Sequence, residues 1–287
     1  MAASNLTRRI VFASVAIPLA LLLVWNGGLP LALFTALVSV LGTRELYDLA
    51  ERDGIRPARA LGLASAALLA PAAFLALADP AVAAGAQHWW PYAAALWVLL
   101  LLVWALAART TADRPLAAAG VTVLGVLYTG ALPVFLLDLR SVAGPRSWSA
   151  AWVVFYPLVV TWVCDTAAMF SGKAIGGPRL APVVSPGKTR VGALGGLVGA
   201  LLVAPAFHLL APTPFGDVLT LAQLLLMEAV LSVVGQVGDL AESLYKREAG
   251  VKDSSSLIPA HGGVLDRFDS LYFVVPVAAV LYRLFGL

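Results

Sequence analysis

The residues able to do chemistry lie in two polar stretches of an otherwise apolar chain, 172–191 and 237–267. The second stretch, with the start of the run after it, holds Asp239, Glu242, Glu248, Asp253, Asp266 and Asp269. These are six of the chain's sixteen acids, and Lys246, Arg247, Lys252 and Arg267 lie among them. If 236–247 is helical, Asp239, Glu242 and Lys246 fall at i, i+3 and i+7 and share an arc of about 60°. Asp266 and Asp269 are also i, i+3. Such carboxylate pairs suit a hard cation such as Mg²⁺, which takes one or two carboxylates and completes its shell with phosphate and water. Any single pair is read more simply as an interfacial salt bridge, for example Glu242–Lys246; the whole cluster asks for more. His261-Gly262-Gly263 forms a turn whose backbone N–H groups could approach a phosphate. His261 could ligate a metal, touch a phosphate or fix the loop. No second His or Cys stands nearby, which argues against zinc.

The first stretch reads SGKAIGGPRLAPVVSPGKTR over 171–190. Gly187-Lys188-Thr189 imitates the end of a phosphate-binding P-loop, but Pro182 stands where the first glycine belongs. What survives is a Pro/Gly-shaped loop offering Ser185, Lys188, Thr189 and Arg190 to an anion. Asp165 and Glu228 lie inside apolar runs, where acids default to a functional or paired role. Asp165 reads as functional; Glu228 reads equally as an internal hydrogen-bond partner. Carboxylates alone would repel an anionic substrate, and bases alone would bind phosphate without a metal. Both together suit a metal–phosphate complex. At a membrane surface, that chemistry is phosphoryl or nucleotidyl transfer to a lipid.

The elements that must position these residues are membrane helices. Of 287 residues, 61% are apolar and 12% charged, and the mean hydropathy is +0.90. Soluble domains are about 45–50% apolar and about 25% charged. The composition excludes an ordinary soluble enzyme and a disordered chain. The single cysteine, Cys164, excludes a disulfide framework within the chain. Apolar runs occupy 10–26, 29–43, 60–78, 91–108, 116–137, 151–171, 192–211, 217–236 and 268–285. They are continuous rather than alternating, so the expected fold is all-α: a polytopic integral membrane protein with about nine transmembrane helices. Residues 1–150 supply N-terminal helices and a polar link, and 151–287 supply helices with the catalytic loops.

Orientation follows from the basic residues. With the N-terminus in the cytoplasm, sixteen of nineteen fall on the cytoplasmic side, leaving Arg140, Arg146 and Arg283 outside. Arg8-Arg9 ahead of a long apolar run reads as a retained signal-anchor. In the first half, Glu45, Asp48, Glu51, Arg52 and Asp53 are expected to form a solvated face, and His88 to sit in an exterior loop. Trp89 and Trp90 read as an interfacial belt. Gly192, Gly195, Gly196 and Gly199 form overlapping small-xxx-small patterns, which predict close helix packing.

The stretch 238–270 resembles the signature of the phosphatidate cytidylyltransferases, also called CDP-diacylglycerol synthases. The matching residues are Ser243, Lys246-Arg247, Lys252-Asp253, Pro259, His261-Gly262-Gly263 and Asp266-Arg267-Phe268-Asp269. A weaker likeness runs back through Ser185-Pro186 and Lys188-Thr189 to Asp165-Thr166. The resemblance implies the reaction of CTP with phosphatidate to give CDP-diacylglycerol and pyrophosphate, with Mg²⁺ as cofactor. It implies Asp239 and Asp266 as metal ligands, with Glu242 behind them, and Lys246, Asp269 and Asp165 in the catalytic set. It implies Ser185, Lys188, Thr189, Ser243, Arg247, Lys252, His261, Gly262, Gly263 and Arg267 as substrate contacts. The implied partners are CTP and phosphatidate rather than nucleic acid, with room for a homodimer. The implied location is a bacterial cytoplasmic membrane, with the site facing the cytoplasm. Two rivals stay open: a CTP-dependent lipid kinase that shares the metal site, and a cation-coupled transporter using Asp165 and Glu228.

Overall fold

The computed structural model describes residues 2–211, 215–258 and 262–287, with side chains from Ser14 onward. The helices among them are α1 (Ala2–Asn26), α2 (Gly28–Arg52), α3 (Arg59–Ala78), α4 (Pro80–Ala108), α5 (Pro115–Leu124) and α6 (Phe135–Arg140). They continue with α7 (Trp148–Ile175), α8 (Arg190–Leu201), α9 (Val203–Leu210), α10 (Leu221–Glu248), α11 (Leu265–Phe268) and α12 (Leu271–Leu284). Between α7 and α8 a small antiparallel hairpin pairs β1 (Arg179–Ala181) with β2 (Ser185–Thr189). The protein is an all-α polytopic membrane protein apart from that hairpin.

Seven segments are long and apolar enough to cross a bilayer. They are α2, α3, α4, the composite Pro115–Arg140, α7, Arg190–Leu210 and α10. The apolar helix Ser14–Asn26 and the 14-residue α12 are shorter. Several boundaries differ from the sequence expectation, and two of the shifts relocate named residues. Helix α4 begins at Pro80, because Asp79 accepts a hydrogen bond from the Ala81 N–H and proline occupies the first helical position. His88 therefore lies in a helix and not in a loop. Helix α10 runs on to Glu248, twelve residues past the expected end at 236, and so carries Asp239, Glu242 and Lys246 on a regular helix.

Contacts between the links sort the bundle into two ends. Arg114 pairs with Asp53, and Arg109 donates to the Arg56 carbonyl. Arg247 donates to the Val184 carbonyl, and Glu45 accepts from Ser254. These links share one end. At the opposite end the Arg140 guanidinium donates to the Val24 and Trp25 carbonyls, closing the end of α1, and Arg283 pairs with Asp138. Two of the three basic residues assigned to the outside thus meet there.

Between α5 and α6 the chain leaves regular α-helix for a π-helical stretch, Gly125–Ala131, and a 3-10 turn, Leu132–Val134, that contains Pro133. Its loosened backbone is served by a polar stripe on α2. Ser39 donates to the Gly130 carbonyl, Thr43 to Gly125, and Tyr47 to Thr122. Neighbouring helices re-satisfy freed backbone groups in this way inside a membrane.

The tightest pairing joins α7 to α8 through the glycine stripe. A Cβ on Gly196 would stand 3.0 Å from the Cys164 carbonyl oxygen, and one on Gly192 2.8 Å from that of Ala168. Those neighbours are backbone and cannot swing aside. Gly196→Val is expected to cost about 1–3 kcal/mol by overpacking, read as a lowered thermal midpoint in detergent. Gly120→Ala on α5, whose Cβ would meet nothing within 4 Å, is the control. Equal midpoints for the two variants would count against the packing role.

Candidate active site

The mouths of α7 and α10, the β1–β2 hairpin and the α11 turn enclose one cavity of about 850 Å³. Both polar stretches reach it, so they lie on the same side of the bundle. Asp165 enters from α7, Lys188 and Thr189 from β2, and Asp239 from α10; Asp266, Arg267 and Asp269 enter from α11 and the turn after it. Trp162, Lys173, Arg179 and Gln236 also line it. Sequence reasoning did not single out these four. Lys173 and Arg179 were countable as bases in the right loop, but nothing in their spacing aimed them at the site.

The hairpin explains how Lys188 is held. Thr189 closes β2 and caps α8, its Oγ1 accepting the Gly192 N–H at 3.0 Å. Lys188, one residue earlier, is thereby fixed at a helix start and reaches across to α10. Its Nζ lies 2.6 Å from Asp239 Oδ2. Ser243, one turn on from Asp239, donates to its Oδ1 at 3.4 Å.

Asp266 is the most heavily bonded acid of the site. Its Oδ2 accepts from the Ser254 N–H, the Ser254 hydroxyl and the Gly263 N–H, each at 2.8 Å. Among the described residues, the partner of its Oδ1 is Lys246 Nζ, at 2.7 Å. Burial pushes this carboxyl up, but Lys246 and the donors from Gly263 and Ser254 outweigh it and hold the carboxyl below its usual range. Asp266 stays ionised.

Several expected contacts sit behind the cavity wall. Glu242 is fully buried and pairs with Lys246, so neither side chain lines the cavity. Lys246 thus bridges two buried acids, Glu242 and Asp266. Arg247 donates to the Val184 and Val251 carbonyls and clamps the hairpin onto the end of α10. Ser185 is half-buried within the hairpin, Ser243 lies under Asp239, and Lys252 is exposed away from the cavity. The Gly-Gly turn packs on the chain's own acids. A Cβ on Gly262, whose φ is +84°, would stand 2.7 Å from Asp266 Oδ2, and one on Gly263 would collide with Ser254 and Glu45. His261 and Pro259 lie outside the described residues.

Glu45 corrects the reading of residues 44–59 as a solvated face. It is only 3% exposed and accepts four hydrogen bonds from the segment 254–265. Asp48 and Glu51 instead pair with Arg59 across the α2–α3 link. Glu228, two turns into α10, is fully buried and does not line the cavity.

Fold and cavity together define a polytopic membrane protein whose polar site combines acids and bases beside a bilayer. Residues 7–285 match the cytidylyltransferase family, and the chain belongs to that family. It is similar to the phosphatidate cytidylyltransferase of Brucella suis, with 37% identity over 287 residues, 99% of this chain and 94% of that protein. It is also similar to the phosphatidate cytidylyltransferases of Bacillus subtilis, 39% identical over 189 residues, and Haemophilus influenzae, 45% identical over 131 residues. Those two matches take in 66% and 45% of this chain, and the same shares of each relative's length.

Proposed function

We propose that this cavity transfers the cytidylyl group of CTP to phosphatidate, giving CDP-diacylglycerol and pyrophosphate. The carrying observation is the alternation of acid and base on one wall: Lys188 against Asp239, with Asp266, Arg267 and Asp269 beside them. The names of the relatives point to the same reaction. A phosphate oxygen of phosphatidate attacks the α-phosphorus of CTP. The new P–O bond forms as the bond to the bridging oxygen breaks, and pyrophosphate leaves with that electron pair. The attacking oxygen is already ionised near neutral pH, so no side chain has to remove a proton. The task is to hold about six negative charges together in line, which positioning and electrostatic stabilisation supply. Lys188, Arg267, Lys173 and Arg179 are the cavity's cations for this purpose.

The donor set fits Mg²⁺. Among the described residues no three His, Cys, Asp or Glu side chains form a metal-holding group by themselves. Mg²⁺ takes one or two carboxylates and completes its shell with substrate phosphate and water. Asp239 and Asp266 would hold it, since both carboxylates line the cavity. There Mg²⁺ would neutralise phosphate charge. Glu242, buried against Lys246, stands apart from this set.

The arrangement in the membrane that accompanies this reading has nine crossings, with the cavity facing the cytoplasm of a bacterial cell. The sixteen-to-three partition of basic residues supports it. Against ion transport, Asp165 lines the cavity and Glu228 does not, so the two acids share no polar path there.

The test uses purified protein, phosphatidate and CTP labelled at either the α- or the γ-phosphate. Label from the α-position is expected in lipid and label from the γ-position in pyrophosphate. Lipid labelled from the γ-position would overturn this reading in favour of a kinase. Lys188→Ala is expected to lower the rate on the order of 10²-fold, the scale for one charge-stabilising donor. Arg52→Ala, an exposed position at the end of α2, should leave it unchanged. Equal rates in the two variants would reduce the hairpin to a connector.

A further inference from the structure

We infer that Glu45, on the second helix and outside the cavity wall, is the positioning residue for Asp266. The inference rests on the cytidylyl-transfer reading and adds a residue to it from the opposite half of the chain. Among the described residues, four groups able to donate meet the Glu45 carboxylate, and each oxygen faces one backbone N–H and one serine hydroxyl. Oε1 accepts the Ser255 hydroxyl at 2.7 Å and the Val264 N–H at 3.0 Å. Oε2 accepts the Leu265 N–H at 2.7 Å and the Ser254 hydroxyl at 3.0 Å. Three of these donors bear directly on Asp266. The Val264 and Leu265 N–H groups belong to the two residues before it, where α11 begins. Ser254 meets both acids: its hydroxyl, with one proton to give, lies 2.8 Å from Asp266 Oδ2 and 3.0 Å from Glu45 Oε2 and is shared between them.

The arrangement has one chemical requirement. Two backbone N–H groups and two hydroxyls converge on two oxygens, so both oxygens must accept. A carboxylate does this and a carboxamide does not, because its NH₂ end would face donors. Gly263 belongs to the same device, since any side chain there would enter the space held by Ser254 and Glu45. Helix α2 is long and packed along its length, so it gives a rigid origin from which the loop is measured. A residue behind a metal ligand or reacting group acts by holding that group's orientation, and its loss typically costs about 10–100-fold.

The experiment compares parent, Glu45→Gln, Ser254→Ala and Ser255→Ala in detergent, with three readouts: kcat and KM for CTP, the Mg²⁺ concentration giving half-maximal rate, and amide hydrogen exchange without nucleotide. Glu45→Gln is expected to lower kcat by about 10–100-fold, raise the Mg²⁺ requirement, and speed exchange at Val264 and Leu265 while other helices keep their protection. Ser254→Ala is expected to share the Mg²⁺ shift. Ser255→Ala, which touches Glu45 and has no bond to Asp266, should not. Combining Glu45→Gln with Ser254→Ala should cost less than the sum of the two. Should Glu45→Gln not fold, Ser254→Ala alone carries the test through its kcat and Mg²⁺ requirement. Parental kcat and Mg²⁺ dependence in Ser254→Ala and in every folded Glu45 variant would overturn the inference. A parent protein that makes no CDP-diacylglycerol would instead overturn the reading beneath it.

Discussion

Asp239→Asn is expected to lower cytidylyl transfer on the order of 10²–10³-fold, the scale for removing one preorganised charge partner from a reacting phosphate site. The substitution keeps the side chain's shape and removes one ligand charge. Asp239 is also the cleaner of the two proposed metal ligands to alter. Its carboxylate faces the cavity and is held by Lys188 and by a longer bond from Ser243, so folding should survive. Asp266→Asn should cost as much activity but also lower stability. Three donors converge on Oδ2 while an ammonium sits on Oδ1. An asparagine must therefore turn its NH₂ toward one or the other. The double variant should be little worse in rate than either single one, because ligands of one ion act as a unit. Activity measured against Mg²⁺ for all three variants, beside thermal unfolding, separates these effects. Near-parental activity and unchanged Mg²⁺ dependence in Asp239→Asn would remove Asp239 from the metal site.

The sequence made the site's location legible because membrane chains carry few polar residues, and those that cluster stand out. The helical phase of Asp239, Glu242 and Lys246 was also legible. Phase does not say which of three residues on one arc points into a cavity and which into a neighbouring helix. Asp239 faces the cavity, whereas Glu242 and Lys246 face α11 and each other. The resemblance could not make that distinction either, since a residue buried beneath a site and one lining it belong to the same signature.

Glu45 shows a second limit. Its surroundings in the chain, Arg44, Asp48, Glu51 and Arg52, are those of a solvated helix end, and most of them are solvated. Its partners lie more than 200 residues away, and no local pattern encodes them. The glycine stripe in α8 was legible for the opposite reason. Small residues four apart on a membrane helix have one physical use, and α7 packs against them as that use requires. Asp79-Pro80 marks the start of α4 by capping, whereas hydropathy alone places it later, since the first turns after it are less apolar than the rest.

Lys246→Met is expected to destabilise the protein by about 3–5 kcal/mol, the usual cost of removing one partner from a buried ion cluster. Lys246 is nearly buried and bridges two carboxylates from different elements, Glu242 one turn back on α10 and Asp266 on α11. Without it Glu242 is left charged in an apolar setting, or must take up a proton to enter it. Asp266 loses less, because Ser254 and Gly263 still hold its Oδ2. Adding Glu242→Gln to Lys246→Met should therefore restore part of the lost stability, since the stranded charge goes with it. Unfolding in detergent, followed by circular dichroism, reads both effects. Activity then decides between two roles for this lysine. If Lys246 holds the wall, the double variant regains stability and keeps measurable transfer, with KM for CTP near the parent's. If Lys246 instead reaches the phosphates, Lys246→Met folds with parental stability and its KM for CTP rises. That second outcome would require the α10–α11 contact to open when substrate enters, and would move Lys246 from the support of Asp266 into the nucleotide site.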